Sequence, residues 1–153
     1  MDAIELLTED HEKVRKLLEQ LDATTERGVK TRQELFAKIK QELTVHETIE
    51  EEIFYPALKE HPKAKEIVLE GYEEHHVVDT IMGEMEQLPF DDEAWGAKAT
   101  VMKENIEHHI EEEEGEMFET ARQVFDKDEL RQLGEQMMAR KESALKGESV
   151  SAG

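Results

Sequence analysis

A pair of residue types recurs in this chain with the spacing of a metal-binding motif. A histidine precedes a glutamate by four positions in residues 46–50 and again in residues 109–113. Residues four apart lie on one face of an α-helix, so one turn can offer an imidazole nitrogen and a carboxylate oxygen to the same ion. Two more histidines lie on apolar stripes of other predicted helices, and the candidate ligands are His11, His46, Glu50, His75, His109 and Glu113.

These candidates belong to an internal repeat. A shift of 64 positions brings His11 onto His75, and a shift of 63 positions brings residues 46–50 onto residues 109–113. The acidic residue before each single histidine coincides as well, as do the surrounding apolar positions. The chain therefore consists of two helical hairpins of one design, each with a histidine on its first helix and a histidine–glutamate pair on its second.

Helices must carry these residues, because apolar side chains recur every three or four positions along nearly the whole chain and no long stretch alternates like a strand. Breaks are expected at Gly28, at Pro56 and around residues 61–62 and 88–92. Capping boxes predict helix starts at Asp2 with Glu5, Thr31 with Glu34, and Asp126 with Glu129. The predicted fold is all-α, an up-down-up-down four-helix bundle.

The expected breaks place the six candidates at one depth of that bundle. Residues at one level of an antiparallel hairpin are equidistant from its turn, and the midpoints between successive ligand groups fall at positions 29.5, 61.5 and 93. Each midpoint lies in or beside an expected break. A buried carboxylate without a partner costs several kcal/mol, so the cluster calls for a cation.

A pair of metal ions suits this cluster best. One histidine on an apolar stripe is ordinarily a core residue, and one histidine–glutamate pair is ordinarily a surface pair, but six at matched depth favour metal. Six ligands exceed the needs of one zinc ion and suit two metals that share carboxylates, with iron preferred over manganese or zinc. The chain has no cysteine, which excludes disulfides, thiolate zinc sites and iron–sulfur clusters.

The charge balance excludes two classes of partner. The chain has 39 acidic and 19 basic residues, for a net charge of −20. Such a surface repels nucleic-acid phosphates and anionic lipid headgroups, so neither nucleic acid nor a membrane is expected as a partner. No secretory leader and no apolar run of about 18 residues is present, which predicts a cytoplasmic protein. Monomer and homodimer both stay open.

A length of 153 residues predicts one domain with an extension. Residues 1–125 are expected to form the bundle. Residues 126–146 are expected to form a further helix that packs on it, with packing on a second subunit as the alternative. Residues 147–153 are predicted to be a disordered tail.

The motifs resemble those of the hemerythrin-like, or HHE cation-binding, domain family. The matching segments are DHEKV at 10–14, HETIEEEIFYP at 46–56, EEHHVV at 73–78 and HIEEEEGEMF at 109–118. The resemblance implies a non-haem centre of two iron ions, bridged by an oxo or hydroxo group, in a four-helix bundle. It also implies that His11 and His46 bind one iron and that His75 and His109 bind the other. Glu50 and Glu113 would bridge the two irons.

Two positions depart from the oxygen-carrying members of that family. Those members have another histidine four residues after the third-helix ligand, where this chain has Asp79, and an aspartate five residues after the last histidine, where this chain has Glu113 at four. The lost imidazole leaves a coordination position for solvent, for Asp79 or for Tyr55. Tyr55 is equally consistent with a core aromatic whose hydroxyl is hydrated.

The other histidines and acidic residues are assigned to less central places. His76 and His108 lie one residue off the apolar stripes and are expected to be partly exposed or to support the ligands, and His61 lies in a junction. The acidic residues beside the motifs are expected to be solvated, with hydrogen bonds from ligand imidazoles as the alternative, and they are Glu51, Glu52, Glu111, Glu112 and Glu114.

Three functions are consistent with these observations. The first is a di-iron protein that binds or reacts with O2, peroxide or nitric oxide, with catalase-like peroxide decomposition as its enzymatic form and oxidative stress as its setting. Open positions weigh toward such chemistry and against reversible oxygen carriage. The second is an iron- or oxygen-sensing module without turnover, and the third is a metal-free interaction bundle.

Overall fold

The protein is described here by a computed structural model that covers residues 1–147, and every element within those residues is helical. The elements are α1 (Ala3–Asp22), α2 (Val29–Ile49), the π-helical turn π1 (Glu50–Phe54), α3 (Tyr55–Lys59), α4 (Lys65–Met85), α5 (Glu93–Glu112), the π-helical turn π2 (Glu113–Met117), α6 (Phe118–Val124) and α7 (Lys127–Leu145). The predicted all-α bundle with an additional C-terminal helix is confirmed. The disordered tail predicted for residues 147–153 lies, from residue 148 onward, outside the described residues.

Two of the four bundle helices contain a π-helical turn. α2, π1 and α3 follow one another without a break, and so do α5, π2 and α6. The N–H of Tyr55 donates to the carbonyl of Glu50, and the N–H of Phe118 donates to that of Glu113, so each hydrogen bond spans five residues instead of four. Pro56 does not stop the helix. It is the second residue of α3 and directly follows the π-helical turn, where the backbone hydrogen-bond pattern already departs from that of an α-helix.

Two of the three predicted capping boxes are present, at Asp2 before α1 and at Asp126 before α7. The start predicted at Thr31 is wrong, because α2 begins at Val29. The N–H of Arg32 already bonds the carbonyl of Gly28 at 2.8 Å, so the first turn is closed before a cap at Thr31 is needed.

The apolar core consists of two separate clusters with a polar layer between them. Along α1, Leu7 belongs to one apolar cluster and Val14 to the other, and buried His11 lies between them. Ile49 and Ile39 of α2 are divided in the same way. The polar layer is therefore sealed from water above and below by packed side chains.

The C-terminal helix α7 packs on the bundle against α1, α2 and π1. Its Leu130 and Met137 are buried in the same apolar cluster as Leu7. Gly134 allows the close approach, since a Cβ there would lie only 2.8 Å from the backbone nitrogen of Ala3. Among residues 1–147, none of the helices combines the length and the apolarity needed to cross a bilayer.

Candidate metal centre

The six predicted ligands converge in the polar layer, where none of them is more than 8% exposed. Their ligand atoms form two overlapping groups, within each of which all atoms lie within 4.8 Å of one another. We call His11, His46, Glu50 and Glu113 the first cluster, and Glu50, His75, His109 and Glu113 the second cluster. Both glutamates belong to both clusters.

Glu113 turns one carboxylate oxygen toward each cluster. Its Oε1 lies 2.9 Å from His11 Nε2 and 3.8 Å from His46 Nε2. Its Oε2 lies 2.9 Å from His109 Nε2. The carboxylate thus spans the two clusters, as a bridging ligand must.

Glu50 also contacts both clusters, through a single oxygen. Its Oε1 lies 3.3 Å from His46 Nε2 and 3.0 Å from His75 Nε2. Its Oε2 is buried and has no hydrogen-bond partner. One lone pair on this carboxylate is therefore left for a further ligand.

Three buried atoms in the centre lack a hydrogen-bond partner, namely His46 Nε2, His109 Nε2 and Glu50 Oε2. His109 Nε2 lies 2.9 Å from Glu113 Oε2, but the two atoms are not aligned as a hydrogen bond. Unpaired buried polar atoms are costly and rare. Imidazole nitrogens and carboxylate oxygens are ligands that iron, manganese and zinc accept, so the donor set fits a pair of such metals.

The second ring nitrogen of each imidazole contacts an outer carboxylate. The Nδ1–carboxylate distances are 2.9 Å for His46 with Asp10, 2.7 Å for His11 with Glu114, 2.7 Å for His75 with Glu51 and 2.5 Å for His109 with Glu74. Such a partner accepts the Nδ1 proton, holds the ring in place and leaves Nε2 free to bind a metal. The four carboxylates therefore orient all four imidazoles toward the shared glutamates.

The outer carboxylates were only partly foreseen. Hydrogen bonding to imidazoles was the alternative reading for Glu51 and Glu114, and it describes them better than full solvation does. Asp10 and Glu74 were missed as partners. The repeat contains the signal, since positions 10 and 74 coincide at the shift of 64 and positions 51 and 114 at the shift of 63.

The Tyr55 side chain is fully buried and points into the centre. Its hydroxyl donates to Glu113 Oε2 at 2.6 Å and lies 3.4 Å from His75 Nε2. Gly71 leaves the space for it, since a Cβ there would lie 2.8 Å from the phenol oxygen. Burial and the charge of Glu113 raise the pKa of Tyr55 well above its usual range. Tyr55 is thus a core aromatic, as the second expectation had it, but its hydroxyl bonds Glu113 and is not the hydrated hydroxyl that this expectation included.

Asp79 does not join either cluster. It hydrogen-bonds instead with Glu47, which is 3% exposed and beside His46 in the sequence. Burial raises the pKa of Glu47 to about 9; the charge of His75 opposes this rise, and the neighbouring carboxylates Asp79 and Glu51 add to it. Glu47 is therefore protonated at neutral pH and can donate its proton to Asp79.

The pKa values favour protonated histidines around an ionised Glu113. Burial lowers the pKa of His75, but hydrogen bonds to Glu50 and Glu51, together with the nearby acidic groups Glu50 and Glu47, outweigh burial and raise it to about 9. Burial likewise raises the pKa of Glu113, but the charge of His109 and the hydrogen bond from His11 hold it well below its usual range. A dication that displaced the imidazole protons would take over this pairing.

The other histidines lie outside the centre. His76 and His108 are exposed, and His108 Nε2 lies 3.0 Å from Glu112. His61 packs edge-on against Phe125, with 5.2 Å between the ring centres. The exposure of His76 and His108 agrees with the first of the two expectations for them. Neither belongs to the two clusters, although His108 lies within 4.8 Å of the outer carboxylate Glu74.

A small apolar cavity borders the four imidazoles. The cavity has a volume of about 20 Å³. Its apolar wall consists of Val14, Leu43, Val78, Ile106 and Ile110, and Glu47 and Glu74 line it as well. The space has room for about one molecule of the size of water next to the ligand set.

Two comparisons with known proteins found similarity. The family model of the Hemerythrin HHE cation binding domain matches residues 2–121, a range that contains both clusters and Tyr55 and ends before α7. The crystal structure of a Hemerythrin HHE cation binding domain-containing protein from Mycobacterium kansasii is similar in fold, with a TM-score of 0.85 and 27% sequence identity over 96% of this chain and 89% of that chain. No curated protein matches the chain significantly.

Proposed function

Because the chain belongs to the hemerythrin HHE cation-binding domain family, we propose that its two clusters hold a pair of iron ions and that the pair binds or reacts with O2, peroxide or nitric oxide. The observation that carries the proposal is the sharing of Glu50 and Glu113 between the clusters. Two metals held a few ångströms apart by common carboxylates can act together on one small ligand.

In the proposed centre, His11 and His46 would hold the first iron and His75 and His109 the second, with Glu50 and Glu113 available to both. Four protein ligands would leave positions free on an iron that accepts up to six ligands. The imidazoles are held for this role by their outer carboxylates, which accept the Nδ1 protons.

A bound ferrous pair would supply the electrons for the reduction of a small oxidant. The chain supplies the surroundings for that chemistry. The apolar wall of the cavity keeps bulk water out and leaves room for a small neutral molecule. The Tyr55 hydroxyl holds a proton 2.6 Å from the bridging Glu113, close enough to be donated within the centre.

A second candidate is an iron- or oxygen-sensing module without turnover. It is favoured by α7, which lies outside the matched family region and yet contacts an outer carboxylate, since Lys141 Nζ lies 2.5 Å from Asp10 Oδ1. A change at the metal centre would then alter how α7 is held. A partner that binds α7 would then bind more tightly or more weakly according to the state of the metal centre.

The first experiment measures iron in protein purified without chelator and then loaded anaerobically with ferrous iron. We expect two iron ions per chain and near-ultraviolet charge-transfer bands that respond to azide or peroxide after exposure to O2. His46→Ala and Glu113→Ala should lose both iron and bands. His61→Ala removes a histidine that lies outside both clusters and serves as the matched control.

The outcomes separate the candidates. Iron content equal to that of the His46→Ala variant would identify a metal-free bundle. Two irons without responsive bands and without peroxide consumption would exclude the redox function. Proteolysis of α7 that differs between the metal-free and loaded forms would then favour the sensing module.

A further inference from the structure

The outer carboxylates of the first cluster are each paired with a permanent cation. Asp10, the partner of His46, lies 2.5 Å from Lys141 Nζ of α7. Glu114, the partner of His11, lies 3.4 Å from an Arg15 guanidinium nitrogen. The carboxylates that accept hydrogen bonds from the two imidazoles of this cluster are therefore each also ion-paired with a lysine or an arginine.

The outer carboxylates of the second cluster lack such partners. Within residues 1–147, no lysine or arginine nitrogen lies within 4.0 Å of Glu51 or Glu74. Their neighbours are mostly acidic, since Glu112 lies beside Glu74 and the Glu47–Asp79 pair lies beside Glu51. The exposed His108 is the basic residue near Glu74, within 4.8 Å of its carboxylate. The first cluster thus has a lysine and an arginine behind its ligands, whereas the second has carboxyl groups and one exposed histidine.

This difference breaks the internal repeat. The six candidate ligands and their four outer carboxylates all repeat, but Arg15 falls on Asp79 at the shift of 64 positions. Lys141 belongs to α7, which has no counterpart in the repeat. A duplicated ligand set is therefore placed in two unequal electrostatic surroundings.

We propose that the two clusters are unequal metal sites, in which the second binds a dication more tightly, and that Lys141 and Arg15 weaken the first. The inference rests on the proposed function only in that both clusters hold a metal. A carboxylate that accepts the Nδ1 proton makes its imidazole a stronger donor, and a cation on that carboxylate reduces the effect.

Burial makes the contribution of Lys141 the larger of the two. The side chains of Lys141 and Asp10 are 14% and 3% exposed, whereas those of Arg15 and Glu114 are 31% and 27% exposed. Solvent and salt screen a half-exposed charge more than a buried one. Lys141 is the specificity-determining residue that α7 adds to this centre.

The test is an anaerobic titration of the metal-free protein with cobalt(II) alone, followed by calorimetry and by absorption. We expect two binding steps of unequal affinity. Lys141→Gln should tighten the weaker step by about three- to tenfold, below the 10–100-fold effect of changing a direct partner of a ligand because Lys141 is one contact further out. The stronger step should stay within about twofold. Arg15→Gln should act in the same direction with a smaller effect.

Lys127→Gln is the matched control, because Lys127 is an exposed lysine of the same helix. It removes the same charge and should leave both steps unchanged. His11→Ala should abolish the weaker step and His109→Ala the stronger one, which assigns each step to its cluster. Far-UV circular dichroism checks that each variant is folded.

Equal affinities in the unaltered protein would overturn the inference. The inference would also be overturned if Lys141→Gln and Arg15→Gln were both folded and both bound cobalt(II) with the same two affinities as Lys127→Gln. Loss of the weaker step in His109→Ala would overturn it as well. A protein that binds no cobalt(II) at all would overturn the proposed metal function, a distinct result from two equal sites.

Discussion

The Tyr55 hydroxyl donates a 2.6 Å hydrogen bond to Glu113 Oε2, the same oxygen that lies 2.9 Å from His109 Nε2. Tyr55 begins the helix that follows one π-helical turn, and Glu113 begins the other. The contact joins the two halves of the repeat across the polar layer. It also places a proton donor on a carboxylate that spans both clusters.

Tyr55→Phe removes the hydroxyl, so that Oε2 of the buried Glu113 loses this hydrogen bond. We expect the free energy of unfolding of the metal-free protein to fall by about 2 kcal/mol, the cost of losing a buried hydrogen bond to a charged group. Urea unfolding measures this change. Tyr72→Phe alters a half-buried tyrosine whose ring contacts that of Tyr55, and it should change stability by no more than about 0.5 kcal/mol. Equal losses in the two variants would contradict the assigned role of the hydroxyl.

Gly71→Ala should destabilise the protein although alanine favours helices. The added Cβ would lie 2.8 Å from the Tyr55 phenol oxygen, and overpacking of this kind costs about 1–3 kcal/mol. Gly83→Ala, in the same helix, meets no heavy atom within 4 Å and should gain up to about 1 kcal/mol from helix propensity. Thermal unfolding should therefore shift in opposite directions for the two variants. If both variants were more stable than the unaltered protein, the Tyr55 ring would be able to move away from the added methyl group without loss of stability.

Glu74→Gln tests the outer carboxylates. The amide keeps the shape of the side chain but is a weaker acceptor for the His109 Nδ1 proton than the carboxylate at 2.5 Å. We expect cobalt(II) affinity at the stronger step to fall by about 10–100-fold. Glu73→Gln changes the adjacent exposed glutamate and should leave the affinity unchanged. If Glu74→Gln left the cobalt(II) affinity of the stronger step unchanged, Glu74 would have no role in metal binding.

The stability of the metal-free protein should fall as the pH rises from 6.5 to 9. The pKa of His75 is raised from 6.5 to about 9, so its contribution is fully present below pH 6.5 and is lost as the pH passes about 9. The pKa of Glu47 is raised from 4.5 to about 9, so the folded protein must hold a proton there that the unfolded chain releases. Both groups therefore favour the folded state at lower pH.

Urea unfolding at several pH values between 6.5 and 9 measures this slope. Glu47→Gln is uncharged at every pH and should flatten part of it. Metal loading should have the opposite dependence, with tighter binding at higher pH, because the imidazoles must lose their protons to bind. A flat profile for the metal-free protein would contradict the raised pKa values.

The helical architecture and the residues that could bind a metal were predictable from the amino-acid sequence. Apolar spacing is local, so helices, breaks and the caps at Asp2 and Asp126 could be predicted from it. The spacing of four in residues 46–50 and 109–113, and its repetition, identified the candidate ligands because helix geometry places such pairs on one face. The cap predicted at Thr31 failed because the first turn of α2 already closes on the carbonyl of Gly28.

The partners of the ligand side chains, by contrast, depend on the tertiary structure. Consecutive glutamates such as Glu51 and Glu52 differ in the direction they point, and one contacts His75 while the other contacts Arg140 of α7. A π-helical turn at this point changes those directions, and a straight helix drawn from the sequence does not include it. The Lys141–Asp10 contact joins residues 131 positions apart, so it depends on how α7 docks. Local spacing determines which side chains share a face, whereas the packing of one helix on another determines their partners.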